Sequence, residues 1–342
     1  MENSNGTAEV RAEQEFDRQR TSWLELFYDL AYVAAIAQLT YLLIATNGTL
    51  LEYAQFALIF VMVFLSWLGA VIYRNLRGEL DDNFERIATI IQMFFALVMS
   101  VFIQEAFGAG ATGFIIGYAG TRLVWQALLV RSYELEPERA PRSRNIAWGS
   151  RIAIFLWISS IFVPQPYQQL IWVLTLILEL TLPYTSGTMR TVENPTRILN
   201  KFHLPERLGL FTILVMGESF IVVAVVNNIA DGIITPTNGL IATASFLIIA
   251  GLWWLYFRHV EYFAMGRRFQ LFPYIYTHLL ILVGIMLIAV GTKIGMLDRG
   301  LGPDPFMFVV VGLSLTLVGF NGLKYATGQR LVQLALPTLG LL

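Results

Sequence analysis

The sequence has no cysteine, only three histidines and little charge: 14% of its 342 residues are Asp, Glu, Lys or Arg. Each shortage excludes something. Without cysteine there is no disulfide, no thiolate metal site and no cysteine nucleophile. His203, His259 and His278 could complete a zinc site only with a majority of carboxylates, so no metal is expected. A formal net charge of −1 gives nucleic acid no basic surface to bind. GxxxxGK[ST], HExxH, GxSxG and TVGYG segments are all missing, and no apolar block carries arginine at every third position. These absences exclude an ATP motor, a zincin, a serine hydrolase of that type, a potassium-type filter and a voltage sensor. No cofactor is expected.

What is present is apolar. Hydrophobic residues make up 56% of the chain, whereas a soluble domain carries roughly 25% charged residues. The apolar residues are gathered in blocks near the ~20 residues that a helix needs to cross a ~30 Å hydrocarbon core. The ten-residue alternation of a membrane β-barrel is missing. The sequence therefore predicts an all-α integral membrane protein with a polytopic bundle of ten spans, at about 23–45, 53–73, 87–106, 111–131, 146–163, 167–187, 206–227, 238–258, 272–292 and 304–323. Residues 331–342 are apolar but too short to cross, and are expected to begin a truncated eleventh span. Residues 1–20 form a polar tail with no apolar core, so no cleaved signal is expected and the first span serves as its own insertion signal. Residues 21–342 form one transmembrane domain.

Orientation follows from the basic residues. With the N-terminus in the cytoplasm, every Lys and Arg of the 23 falls on the cytoplasmic side except Lys293, Arg299 and Arg122, the last lying inside a span. Ser22-Trp23-Leu24-Glu25 has the capping-box pattern that opens a helix, and Pro205 suits the first turn of span seven. Gly113/Gly117 and Gly291/Gly295 are GxxxG pairs suited to close helix contact. The spacing of Leu24, Leu26, Phe27 and Leu30 recurs in Leu208, Leu210, Phe211 and Leu214, six spans later. That echo suggests a parallel six-helix repeat, 21–205 and 206–342, with the second copy incomplete.

Two longer motifs carry a family resemblance. Arg20-Thr21-Ser22-Trp23-Leu24-Glu25-Leu26-Phe27-Tyr28-Asp29-Leu30, followed by Ala35-Ile36-Ala37-Gln38-Leu39, resembles the opening signature of the bacterial low temperature requirement protein A (LtrA) family. His203-Leu204-Pro205-Glu206-Arg207-Leu208-Gly209-Leu210-Phe211, running into Gly217-Glu218-Ser219, resembles its central signature. Trp253 to Phe257 and Tyr274 to His278 are similar to its later helices, while Tyr28 stands where the family pattern has Phe. The resemblance implies a multi-pass protein of a bacterial cytoplasmic membrane and leaves the chemistry open.

Ionisable residues inside spans are the functional candidates, because each costs at least ~2.5–3.5 kcal/mol to insert. At about 1.5 Å per residue, Glu218, Glu179 and Arg122 all fall roughly 16–18 Å deep, near the midplane. Asp29 and His278 lie roughly 10 Å from the cytoplasmic face. One carboxylate paired with Arg122 neutralises it, leaving the second free to hold or release a proton inside the membrane, as a proton-coupled carrier requires. Which Glu pairs with Arg122 is open at this point, as is whether His278 and Asp29 relay protons or only bond helices together. Glu25 reads as half of the capping box, Arg207 as a snorkelling surface residue, and His203 and His259 as solvated. Lys293 and Glu105, near outer span ends, have no assigned role.

The leading functional reading is a proton-coupled secondary transporter of a small solute or ion, with the bilayer as its other partner. The alternatives are a sensor or assembly subunit whose charges specify packing, and a lipid-handling enzyme using the carboxyls as acid and base.

Overall fold

The computed structural model describes residues 21–77, 82–135, 140–185, 203–226, 235–260, 270–297 and 304–327. The expected tail at 1–20 and the expected eleventh span at 331–342 lie outside the described residues. Among those residues there are ten α-helices and no strand. They are α1 (Trp23–Ile44), α2 (Leu50–Arg77), α3 (Asn83–Val101), α4 (Ala111–Leu135), α5 (Ala140–Ser159), α6 (Tyr167–Thr185), α7 (His203–Val226), α8 (Pro236–Val260), α9 (Leu271–Leu297) and α10 (Pro305–Ala326). A turn of 3₁₀ helix, Ser160–Phe162, extends α5. Each of the ten apolar blocks coincides with one helix.

Seven of these helices are long and apolar enough to cross a membrane: α1, α2, α3, α4, α8, α9 and α10. In α5 and α6 the apolar stretches, Ala147–Phe162 and Tyr167–Leu182, are shorter. Helix α7 carries Glu206 and Arg207 near its start and Glu218 further along. Much of the outer surface is apolar: α3 alone exposes Ile87, Ile90, Ile91, Phe94, Leu97 and Val101. A continuous face of that kind is unstable in water and stable against lipid. The protein is a multi-pass helical membrane protein.

Helices α2 and α9 are the most enclosed of the long spans. Close packing is bought by glycine at two crossings. A Cβ at Gly117 would collide with the backbone of Met99, so α4 lies hard against α3. Gly284 and Gly312 face each other across α9 and α10, where a Cβ on either would lie 2.5 Å from the other's carbonyl oxygen. Gly291 extends this contact, with a Cβ there only 2.7 Å from the Pro305 carbonyl, whereas Gly295 has ordinary room.

The expected capping box opens α1. Ser22 Oγ accepts the Glu25 N–H at 3.3 Å, and Glu25 Oε2 accepts the Ser22 N–H at 3.0 Å. Helices α1 and α7 run parallel. Their ion pairs join Glu25 to His203 and then, one turn further along both helices, Asp29 to Arg207. Antiparallel helices would reverse one of those steps.

Candidate functional site

The ionisable residues fall into three groups. The first lies where α1, α2 and α7 meet. Positions 25 and 29 are one turn apart and share a face of α1, as do 203 and 207 on α7. Glu25 Oε1 lies 3.0 Å from His203 Nε2 and 3.8 Å from Arg74 Nη1 on α2. Asp29 Oδ1 accepts from Arg207 Nη2 at 2.6 Å and from the Trp67 indole at 2.7 Å. Asp29 is 2% and Arg207 1% exposed. The pair is only half satisfied, because Asp29 Oδ2 and Arg207 Nε and Nη1 are buried without hydrogen-bond partners. Static buried networks tend to be saturated, so an open one has capacity for a further partner.

The second group is closed. Arg122 on α4 bonds Glu179 Oε1 on α6 through Nε at 3.0 Å and Nη2 at 2.8 Å. Its Nη1 donates to the Leu65 carbonyl at 3.3 Å, and its guanidinium lies 4.6 Å from the Trp125 ring centroid. The other Glu179 oxygen accepts the Tyr118 hydroxyl at 2.7 Å. Glu179 is thus the arginine's partner, and each nitrogen and oxygen of the two groups has at least one partner. This arrangement fixes α4, α6 and α2 together.

Three successive residues of α2 connect the two groups. Leu65 accepts from Arg122, Ser66 Oγ lies 3.1 Å from the Tyr32 hydroxyl, and Trp67 donates to Asp29. The Tyr28 and Tyr32 hydroxyls are 3.0 Å apart, filling the interval with a polar seam.

The third group holds Glu218. It is 4% exposed on α7 and takes no part in the Arg122 pair. Lys293 of α9 acts on it through charge. Lys293 is itself buried, at 5% exposed, and lies 4.0 Å from the Tyr41 ring centroid. Beside Glu218, Ser219 lines a cavity of about 160 Å³ between α7, α8 and α9, with Phe220, Ser245, Phe246, Ile249 and Thr292. The Ser219 hydroxyl is buried and has no partner, while those of Ser245 and Thr292 bond each other. On the other side, a Cβ at Gly217 would meet nothing within 4 Å. Both features belong to the sequence neighbours of Glu218, which does not itself line the cavity.

His278 joins none of these groups. Its Nδ1 lies 2.7 Å from the Tyr274 carbonyl, which can only accept, so Nδ1 carries the proton. Nε2 then accepts the Tyr256 hydroxyl at 3.0 Å. The imidazole is a saturated bond between α9 and α8, and Asp29 has other partners.

The structure thus brings Arg122 and Glu179 together, and gives Glu218, Asp29 and His278 separate surroundings. Sequence reasoning missed three buried members. Arg207 is inside rather than snorkelling, His203 is buried against Glu25, and Lys293 is enclosed rather than at an exposed span end. One signal was available: two acids one turn apart on α1 answer two basic residues one turn apart on α7. His259 has no described side chain.

Residues 20–342 match the family described as bacterial low temperature requirement A protein (LtrA). An uncharacterized protein of Rhizobium meliloti (strain 1021) is 26% identical over 294 residues, which is 80% of this chain and 69% of that protein. No solved structure matches. With a match running from just before α1 through every described helix, the chain belongs to the LtrA family.

Proposed function

We propose that the protein is a proton-coupled secondary transporter of a small solute or ion in a bacterial cytoplasmic membrane, with Glu218 as its proton-carrying group. The observation that carries this reading is the setting of Glu218: a buried carboxyl outside the Arg122 pair, influenced by the charge of Lys293 and one residue along α7 from the Ser219 that lines a cavity. A carboxyl must change protonation and partner during a transport cycle, and only an unsaturated one does so cheaply. Arg122 and Glu179, saturated by each other and by Tyr118, hold the scaffold in this account.

The N-terminus is assigned to the cytoplasm, as the distribution of Lys and Arg indicates. The parallel course of α1 and α7 supports an odd number of crossings between them, in keeping with ten spans and a six-helix repeat. The Glu25–His203 and Asp29–Arg207 pairs then join the two halves near the cytoplasmic side. Their rupture and re-formation would open and close that side as one half rocks on the other.

The reading as a sensor or assembly subunit draws on the closed Arg122–Glu179 pair alone. The reading as an acid–base enzyme has less support, since Asp29 and Glu179 are each engaged by a different arginine. Labelling with the apolar reagent dicyclohexylcarbodiimide, which attacks protonated carboxyls in membranes, tests the assignment. Modification is expected at Glu218 and not at Glu179. Labelling at Glu179, or at neither, removes Glu218 from the proposed role.

A further inference from the structure

The cavity of about 160 Å³ between α7, α8 and α9 has one wall on the lipid-facing surface. Phe220 of α7 and Phe246 of α8 both line it, and both are also open to the outside, at 44% and 55% exposed. Their ring centroids lie 6.0 Å apart, so the rings meet across the gap between the two helices. Helix α8 is the least enclosed of the seven long spans, and its Leu240 and Leu247 are exposed beside the gap. The far wall is interior: Ile249, Ile288 and Ala289 are at most 3% exposed. Two rotatable rings, one of them on the least enclosed helix, thus stand between this cavity and the bilayer.

The cavity has almost nothing polar to offer. The Thr292 hydroxyl donates to the Ile288 carbonyl at 2.8 Å and accepts from Ser245, which commits the protons of both. The Ser219 hydroxyl is enclosed, out of an occupant's reach. Among the described residues, no ionisable side chain lines the space. A water molecule needs roughly two to four polar partners to settle in a cavity, so this one suits water poorly. A charged or strongly polar solute would lose its hydration there without replacement. An apolar occupant has no such loss, and a dry apolar cavity of about 150 Å³ takes up benzene.

We infer that the cavity binds one small, uncharged, apolar molecule about the size of a single aromatic ring, which enters from the bilayer between Phe220 and Phe246. The volume sets the size, the saturated hydroxyls set the polarity, and the exposed ring pair sets the route. The inference is independent of any transport role and of Glu218.

The test is photolabelling of the full chain in phosphatidylcholine nanodiscs with trifluoromethyl phenyl diazirine, an uncharged single ring, mapped by mass spectrometry. Any lipid-facing residue takes some label, so Leu240 and Leu247 supply the unsaturable background. Label at Ile288 or Ala289, which lie inside, is expected to saturate and to fall several-fold with excess toluene but not with benzoate. Ala242→Phe, which puts a ring into the space, should abolish the saturable label and leave the background unchanged. Phe246→Ala, which removes one of the two rings, should raise the labelling rate at Ile288 and Ala289 several-fold. No label at those two residues in the native protein, label that toluene leaves unchanged or benzoate competes away, or a rate indifferent to Phe246→Ala would each overturn the proposal. So would saturable label that survives in folded Ala242→Phe.

Discussion

Replacing Arg207 by methionine removes one charge from a pair that water scarcely reaches. In the native protein Arg207 Nη2 is 2.6 Å from Asp29 Oδ1, and both side chains are almost wholly enclosed, at 1% and 3% exposed. The substitution leaves Asp29 with the Trp67 indole as its remaining strong donor. Removing one partner of a buried ion pair typically costs about 3–5 kcal/mol, a large part of the ~5–15 kcal/mol that holds a domain folded. Removing both charges in Asp29→Leu/Arg207→Met costs less, because no charge is stranded. What remains is a Trp67 N–H without its acceptor, roughly 1–3 kcal/mol. The double mutant should therefore be more stable than the two single losses predict, by about 2 kcal/mol or more. Unfolding of purified protein by SDS titration in mixed micelles, followed by tryptophan fluorescence, measures all four corners of the cycle. Single losses that add to within about 0.5 kcal/mol would mean that the residues do not interact, and the parallel α1–α7 contact would fall with them.

Other consequences are open to simpler assays. Gly284→Ala forces a Cβ to 2.5 Å from the Gly312 carbonyl and should cost about 1–3 kcal/mol by overpacking; Gly217→Ala, with nothing within 4 Å, should leave thermal stability almost unchanged. Tyr118→Phe deletes one hydrogen bond to Glu179 and should cost about 1–3 kcal/mol in melting assays, since the bond is to a carboxylate. Asp82 caps α3, and the Glu85 N–H, together with the Arg131 guanidinium, holds its carboxyl below the usual carboxylate range. A depressed native value means stabilisation that is present above the unfolded value, ~3.9, and lost as pH falls through the native one. Hydrogen-exchange protection of the first turn of α3 should thus weaken on acidification below about pH 4, and Asp82→Asn should lack that pH dependence.

The helices were legible because crossing a membrane leaves a signal that depends on no partner: a run of apolar residues of the right length, with basic residues at alternate ends. Arg122 and Glu179, which residue counting puts at a common depth, do meet. Partner choice was not. Glu179 and Glu218 have similar depths in their helices, and only the packing of α6 beside α4 assigns one of them to arginine. Arg207, His203 and Lys293 were misread for a common reason. A basic residue near a span end snorkels when its helix faces lipid and is enclosed when the helix is central, and hydropathy does not distinguish the two. Helix α7 is the clearest case, since His203 and Arg207 near its start are enclosed against the α1 carboxylates Glu25 and Asp29. The cavity beside Ser219 was invisible in one dimension, because its walls come from three helices.

Proteoliposomes bearing an imposed pH gradient, with an internal pH dye and a panel of small solutes, examine the account where it is most exposed. The native protein should show solute-dependent proton movement that Glu218→Gln abolishes without loss of folded yield, while Glu179→Gln lowers folded yield instead. Undiminished proton movement in Glu218→Gln, or loss of folding from that change as severe as from Glu179→Gln, would contradict it.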